Sequence, residues 1–123
     1  MILGLGVDIV HVSRIRHWVS NPGLLARFFH PDEIAAVHMR GETAALSLAA
    51  RFAAKEAFGK ALGTGLSGLR LRDILVINNY NGKPDMLLYG DALARLQAKG
   101  GRRVHVSLTH ESENAVAVVI IED

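Results

Sequence analysis

The run Arg51-Phe-Ala-Ala-Lys55-Glu56-Ala-Phe-Gly-Lys60-Ala-Leu62 decides how this chain is read. From Ala44 to Leu62 nearly every other position is Ala, Leu or Phe, and projection at the helical repeat leaves no broad polar face. Such a helix is expected to be buried. Its four charges then need partners or a ligand, because an unpaired buried charge costs several kcal/mol. By spacing they fall into two groups, Arg51 with Lys55 and Glu56 with Lys60, each pair one turn apart. An exposed Glu to Lys pair at this spacing contributes only about 0.3 to 0.5 kcal/mol and is common surface decoration. The apolar surroundings favour a crevice, a ligand or another charge instead.

The rest of the chain limits what can surround that helix. Its 123 residues are enough for one domain with a real core and too few for two. Half the residues are apolar, yet no unbroken run approaches the roughly 20 needed to cross a bilayer. With no cysteine, disulfides and thiolate chemistry are excluded. The segment Met1 to Asp8 has no basic leader and carries a carboxylate, which argues against a secretory signal and makes the cytoplasm the expected location. A net charge of +2 with no dense basic tract gives no nucleic-acid signature, although local pairs such as Arg14 with Arg16 suit an acidic protein or a phosphate.

Upstream of the helix, Ile2 to Val10 reads as a strand with Leu3, Leu5, Val7 and Ile9 on one face and Gly4, Gly6 and Asp8 on the other. The two glycines clear space beside Asp8 for another backbone or a ligand. Ser13 is expected to cap a short helix reaching Ser20, with Trp18 beside Arg14 as an interface anchor or a core residue. Leu24 to Phe29 is a further apolar segment, Pro31-Asp32-Glu33 opens another helix, and Thr43 is the expected cap of the central one. Gly63-Thr64-Gly65 ends it through a left-handed glycine.

Downstream, Leu71 to Asn78 and Pro84 to Tyr89 read as a hairpin closed by Asn81-Gly82. A helix capped by Asp91 runs to about Lys99, and strands Val104 to Thr109 and Ala115 to Ile121 finish the chain. Strand, helices, hairpin, helix, hairpin is the order of an α+β domain with antiparallel pairing. In the fourth strand Val104, Val106 and Leu108 share one face and His105, Ser107 and Thr109 the other, with His110 opposed to His105.

Familiar chemical signatures are absent. Gly4-Leu-Gly6 lacks the third glycine of a dinucleotide fingerprint, no Walker-type loop occurs, and neither a zinc motif nor a nucleophilic elbow is present. One strand carboxylate, one helix carboxylate and several cations remain, an oxygen donor set that suits Mg²⁺ shared with substrate phosphates.

Read together, Gly6-Val-Asp8-Ile-Val10 and Arg51 through Lys60 to Gly65 resemble the two signature motifs of the 4′-phosphopantetheinyl transferases, specifically the short holo-(acyl carrier protein) synthase type. The resemblance continues through Gly82-Lys-Pro84 and His105-Val-Ser107-Leu-Thr-His110, covering essentially the whole chain as one domain, 1–123. It implies an antiparallel sheet packed on a long central helix, assembled as a homotrimer with sites between subunits. The implied reaction moves 4′-phosphopantetheine from coenzyme A to a serine of apo acyl carrier protein and releases adenosine 3′,5′-bisphosphate, as in fatty acid biosynthesis; a fatty-acid and a polyketide carrier are left undistinguished. By resemblance Asp8 and Glu56 hold Mg²⁺, and Lys60 reaches a phosphate. Arg51, Lys55, Gly63, Gly65, Pro84, His105 and Ser107 belong to the coenzyme A region, with Lys55 alternatively an ion-pair partner in the core. Glu56 is the candidate acceptor of the serine proton, directly or through a water on the metal. The acidic carrier is expected on the first helix, at Arg14, Trp18 and Arg27. Further basic residues of some members are replaced here by Trp18, Ser20 and Gly23, and His30-Pro31 stands where a threonine often caps the next helix. Two other readings use the same residues: a Mg²⁺-dependent pyrophosphate hydrolase, and a non-enzymatic carrier-binding trimer in which Glu56 and Lys60 only pair with each other.

Overall fold

A computed structural model describes all 123 residues. In chain order the elements are β1 (Ile2–His11), α1 (Val12–Ile15), α2 (Pro22–Phe28), α3 (Pro31–His38), α4 (Ala44–Leu62), β2 (Ile74–Asn78), β3 (Pro84–Leu88), α5 (Gly90–Ala98), β4 (Arg103–His110) and β5 (Asn114–Glu122). All pairing is antiparallel: β1, β5 and β4 form one sheet in that order, and β2 with β3 form a separate hairpin. The fold is α+β, as the order of elements predicts.

Helix α4 is the centre of the core. Fourteen of its 19 residues are buried, Arg51 and Lys55 among them. A helix covered on nearly every side needs small residues where a sheet crosses it, and here both partners supply them. A Cβ placed on Gly4 would lie 1.9 Å from the Ala61 carbonyl oxygen, and one on Gly6 the same distance from that of Ala57. The missing side chains let the backbone of β1 rest directly on the backbone of α4. On the same sheet face Ala115, Ala117, Val119 and Ile121 of β5 are fully buried. Leu5, Val7 and Ile9, the other face of β1, are 64%, 53% and 62% exposed.

Helix ends differ from the sequence reading in instructive ways. His11, not Ser13, caps α1, its Nδ1 accepting from the Ser13 amide, and the helix tightens into a 3₁₀ turn over Arg16–Ser20. Thr43 occupies the N-cap position of α4 as expected, but its side chain does not cap: its hydroxyl donates to the Arg40 carbonyl, and a 3₁₀ turn over Gly41–Thr43 leads into the helix. Asp91 is not a cap either, lying inside the first turn of α5 behind Tyr89. Leu71–Asp73 is a 3₁₀ turn, so β2 starts only at Ile74, and the hairpin loop runs from Asn79 to Lys83, held by the Asn79 side chain. His30 replaces the cap threonine: its Nδ1 accepts from the Asp32 amide while Glu33 Oε1 accepts from the His30 amide, a reciprocal capping box. At the far end of α4, Gly63 is left-handed at φ 84°, as predicted.

Candidate active site

The charges of α4 separate into three environments. Lys55 is wholly inside the core, and its ammonium donates to Glu33 Oε1 at 2.7 Å, to the Leu71 carbonyl at 2.8 Å and to the Ile74 carbonyl. Glu33, equally buried, also accepts from the amides of Val76 and His30. Burial pulls the Lys55 pKa down to about 8 against the opposing attraction of Glu33. All three ammonium protons are used, so Lys55 leaves the coenzyme A set and takes its alternative role, a partner in a core ion pair. The sequence reading missed Glu33 because an acid in a first turn already has a local explanation in the helix dipole.

Arg51 is 4% exposed and donates to the Ser47 hydroxyl. Its Nε has no hydrogen-bond partner. Desolvation lowers its pKa, Glu33 opposing and nearby Arg40 reinforcing the shift. The residue borders a crevice of about 380 Å³ whose polar lining includes Arg40, Thr43, Ser47, Asn78 and His110, with Gly82 and Pro84 from the hairpin. A buried, partly unpartnered guanidinium beside a second arginine is an anion site in chemical terms. Of the expected coenzyme A residues, Arg51 and Pro84 meet here. His105 and Ser107 do not: they lie on the outward face of β4, where His105 Nε2 contacts Glu122 Oε1 at 3.1 Å. The alternation of β4 is the signal that selects His110, since it turns His110 away from His105 and toward the crevice.

Glu56 and Lys60 occupy the third environment, where β1 crosses α4. Lys60 pairs not with Glu56 but with Asp8, Nζ to Oδ1 at 2.9 Å, and also donates to the Val7 carbonyl at 3.0 Å. Asp8 points at the helix because Gly4 and Gly6 precede it on the same face. The Glu56 carboxyl is raised above the usual glutamate range, first by desolvation and then by the charge of Asp8, with Lys60 and Arg14 opposing. Two acids on facing elements, next to a half-exposed lysine, form a cation and phosphate site in outline. No group of three or more histidine or acidic side chains gathers anywhere in the chain. Two carboxylates nevertheless fit Mg²⁺, which is ordinarily held by one or two carboxylates plus waters and substrate phosphates. Gly63 and Gly65 lie just past Lys60, the Gly65 amide donating to the Gly59 carbonyl at 3.0 Å.

Of the expected carrier contacts, Arg14 acts on this site directly. Arg14 is exposed and close enough to Glu56 to influence its titration. Trp18 is only partly exposed, packed edge-on against Phe52 at 5.1 Å and tilted on Phe28 at 5.9 Å, so it serves the core as well as the surface. The Arg27 guanidinium lies 5.3 Å from the centre of the Phe28 ring.

Residues 4–119 match the model of the 4′-phosphopantetheinyl transferase superfamily. A holo-[acyl-carrier-protein] synthase of Treponema denticola is 57% identical over 122 residues, 99% of each chain. Among solved structures, the holo-[acyl-carrier-protein] synthase of Neisseria meningitidis superposes with a TM-score of 0.87 at 37% identity, covering 100% of both chains. That of Bacillus anthracis, in complex with CoA (3′,5′-ADP), gives 0.83 at 33%, covering 100% of this chain and 98% of the other. With the β1 and α4 motifs in place across the full length, the chain belongs to the 4′-phosphopantetheinyl transferase superfamily and, within it, to the holo-[acyl-carrier-protein] synthases.

Proposed function

We propose that this chain transfers 4′-phosphopantetheine from coenzyme A to a serine of apo acyl carrier protein, in the cytoplasm, with Mg²⁺ bound by Asp8 and Glu56. The observation that carries the reading is the convergence of Asp8, Glu56 and Lys60 where β1 crosses α4. In this reaction the serine oxygen bonds to the β-phosphorus of coenzyme A, the bond from that phosphorus to the bridging oxygen breaks, and adenosine 3′,5′-bisphosphate leaves. Glu56 accepts the serine proton, directly or through a water. Lys60, half-exposed and held by Asp8, supplies a cation for charge growing on the phosphate oxygens. A divalent cation between the two acids would neutralise charge on the diphosphate. Arg51, with its free Nε, and the hairpin residues Gly82 and Pro84 suit the nucleotide end of coenzyme A. The coenzyme A complex of the Bacillus anthracis relative supports that co-substrate.

The working form in this reading is a homotrimer. Arg51 and Glu56 are five residues apart on α4, about 140° around the helix, so the anion crevice and the acid pair open in different directions. A neighbouring copy would bring one to the other. Leu5, Val7 and Ile9 oppose Ile120, Val118 and Val116 across the outward sheet face, beside His105 and Ser107, an apolar surface of the kind that subunits cover.

Intact mass of apo carrier protein after incubation with coenzyme A and Mg²⁺ tests the reaction. The expected gain is one phosphopantetheine group per carrier. No gain overturns the reading, and coenzyme A cleavage in the absence of carrier moves it to the hydrolase alternative.

A further inference from the structure

The chain carries only a +2 net charge, yet two long segments, residues 9–31 and 57–72, contain no acid at all and hold Arg14, Arg16, Arg27, Lys60, Arg70 and Arg72. The fold brings their ends together. Arg27, Arg70 and Arg72 line one crevice of about 390 Å³, floored by Phe28, Leu69 and Leu71, between α2 and the turn before β2. All three arginines are exposed, and none makes an ion pair. Three unpaired guanidiniums on one crevice repel one another unless an anionic partner is present, and their positive charge attracts carboxylates.

The crevice is joined to the catalytic groups by packed side chains. Arg27 lies over Phe28, Phe28 meets Trp18, Trp18 meets Phe52, and Phe52 stands one turn before Glu56 on α4. From Arg14 beside Glu56 to Arg70 and Arg72 runs a basic strip with an aromatic middle. Its far end is rigid, because the carbonyl of Leu71, between the two arginines, is held from inside by Lys55.

We propose that the Arg27–Arg70–Arg72 crevice is a second docking point for the acidic protein substrate, clamping a carboxylate-bearing segment remote from the serine delivered near Glu56. The inference rests on the transferase reading above.

The test is steady-state transfer with carrier and coenzyme A varied separately, for wild type, R70E/R72E and R70K/R72K. The charge reversal is expected to raise the carrier KM ten-fold or more and leave the coenzyme A KM within two-fold, while the lysine variant keeps most of the wild-type value. Wild-type kcat/KM for the carrier falls steeply with added salt, and R70E/R72E flattens that slope. An unchanged carrier KM and salt slope in an active R70E/R72E protein overturns the docking point and leaves the transferase reading intact. A shift in coenzyme A KM instead of carrier KM also overturns it, assigning the crevice to the nucleotide. Wild type that modifies no carrier overturns both. Thermal melting confirms that the variants fold; should R70E/R72E not, R70Q/R72Q carries the same comparison.

Discussion

Replacing Gly6 with alanine probes the contact on which the acid pair depends. The added Cβ would lie 1.9 Å from the Ala57 carbonyl oxygen, 2.7 Å from the Ala61 amide nitrogen and 2.9 Å from the Ala57 carbonyl carbon, where ordinary contact starts at 3.4 Å. All three atoms are helix backbone, and a carbonyl and an amide four residues apart share one α-helical hydrogen bond, so nothing flexible can yield. Strand and helix must separate by about 1.5 Å, the difference between 3.4 and 1.9 Å. Overpacking of this kind costs about 2 to 3 kcal/mol, which lowers the melting temperature of a chain this size by roughly 10 °C. Asp8 moves with the strand, and a displacement on the order of 1 Å in a catalytic group costs about 100-fold in turnover. Thermal unfolding and carrier modification are measured together on Gly6→Ala. Gly23→Ala serves as the control, since its nearest neighbour to a new Cβ is the Asn21 Oδ1 at 3.7 Å. A Gly6→Ala protein that melts within about 2 °C of wild type and keeps at least about half its activity refutes the close-approach reasoning.

Glu56→Gln keeps the side chain's shape and removes its charge; transfer is expected to fall at least about 100-fold with the fold retained, and full activity would sink its assignment as metal ligand and base. Lys55→Met leaves Glu33 ionised and buried without its cation, a loss of about 3 to 5 kcal/mol in denaturant unfolding. Adding Glu33→Gln should recover about half of that, and a single-variant loss below about 1 kcal/mol would contradict the pairing. Arg51→Met is expected to raise the coenzyme A KM about ten-fold while sparing the carrier KM, and the reverse pattern would remove Arg51 from the nucleotide crevice. Chelation should stop transfer and Mg²⁺ restore it; activity persisting in excess chelator would exclude a metal held by Asp8 and Glu56.

Much of this molecule is written locally. The apolar run from Ala44 to Leu62 declares a buried helix, the glycine after Leu62 its end, and strict alternation in Val104 to Thr109 sorts His105 from His110 without reference to anything distant. Each rests on a repeat or a backbone preference that neighbouring residues determine. Caps were less legible, because His11, His30 and the backbone can do what Ser13, Thr43 and Asp91 would do, and local chemistry does not rank them.

Charge pairing was decided elsewhere. Spacing within α4 offers Lys60 to Glu56, but the fold hands it to Asp8, 52 residues away, and gives Lys55 to Glu33, 22 residues away. A helical repeat specifies which side chains share a face; it carries no information about what another segment brings to that face. Only the seating of β1 on α4, and of α3 against β2, selects among the possible partners, because the strength of an ion pair depends on distance and burial that tertiary packing alone sets.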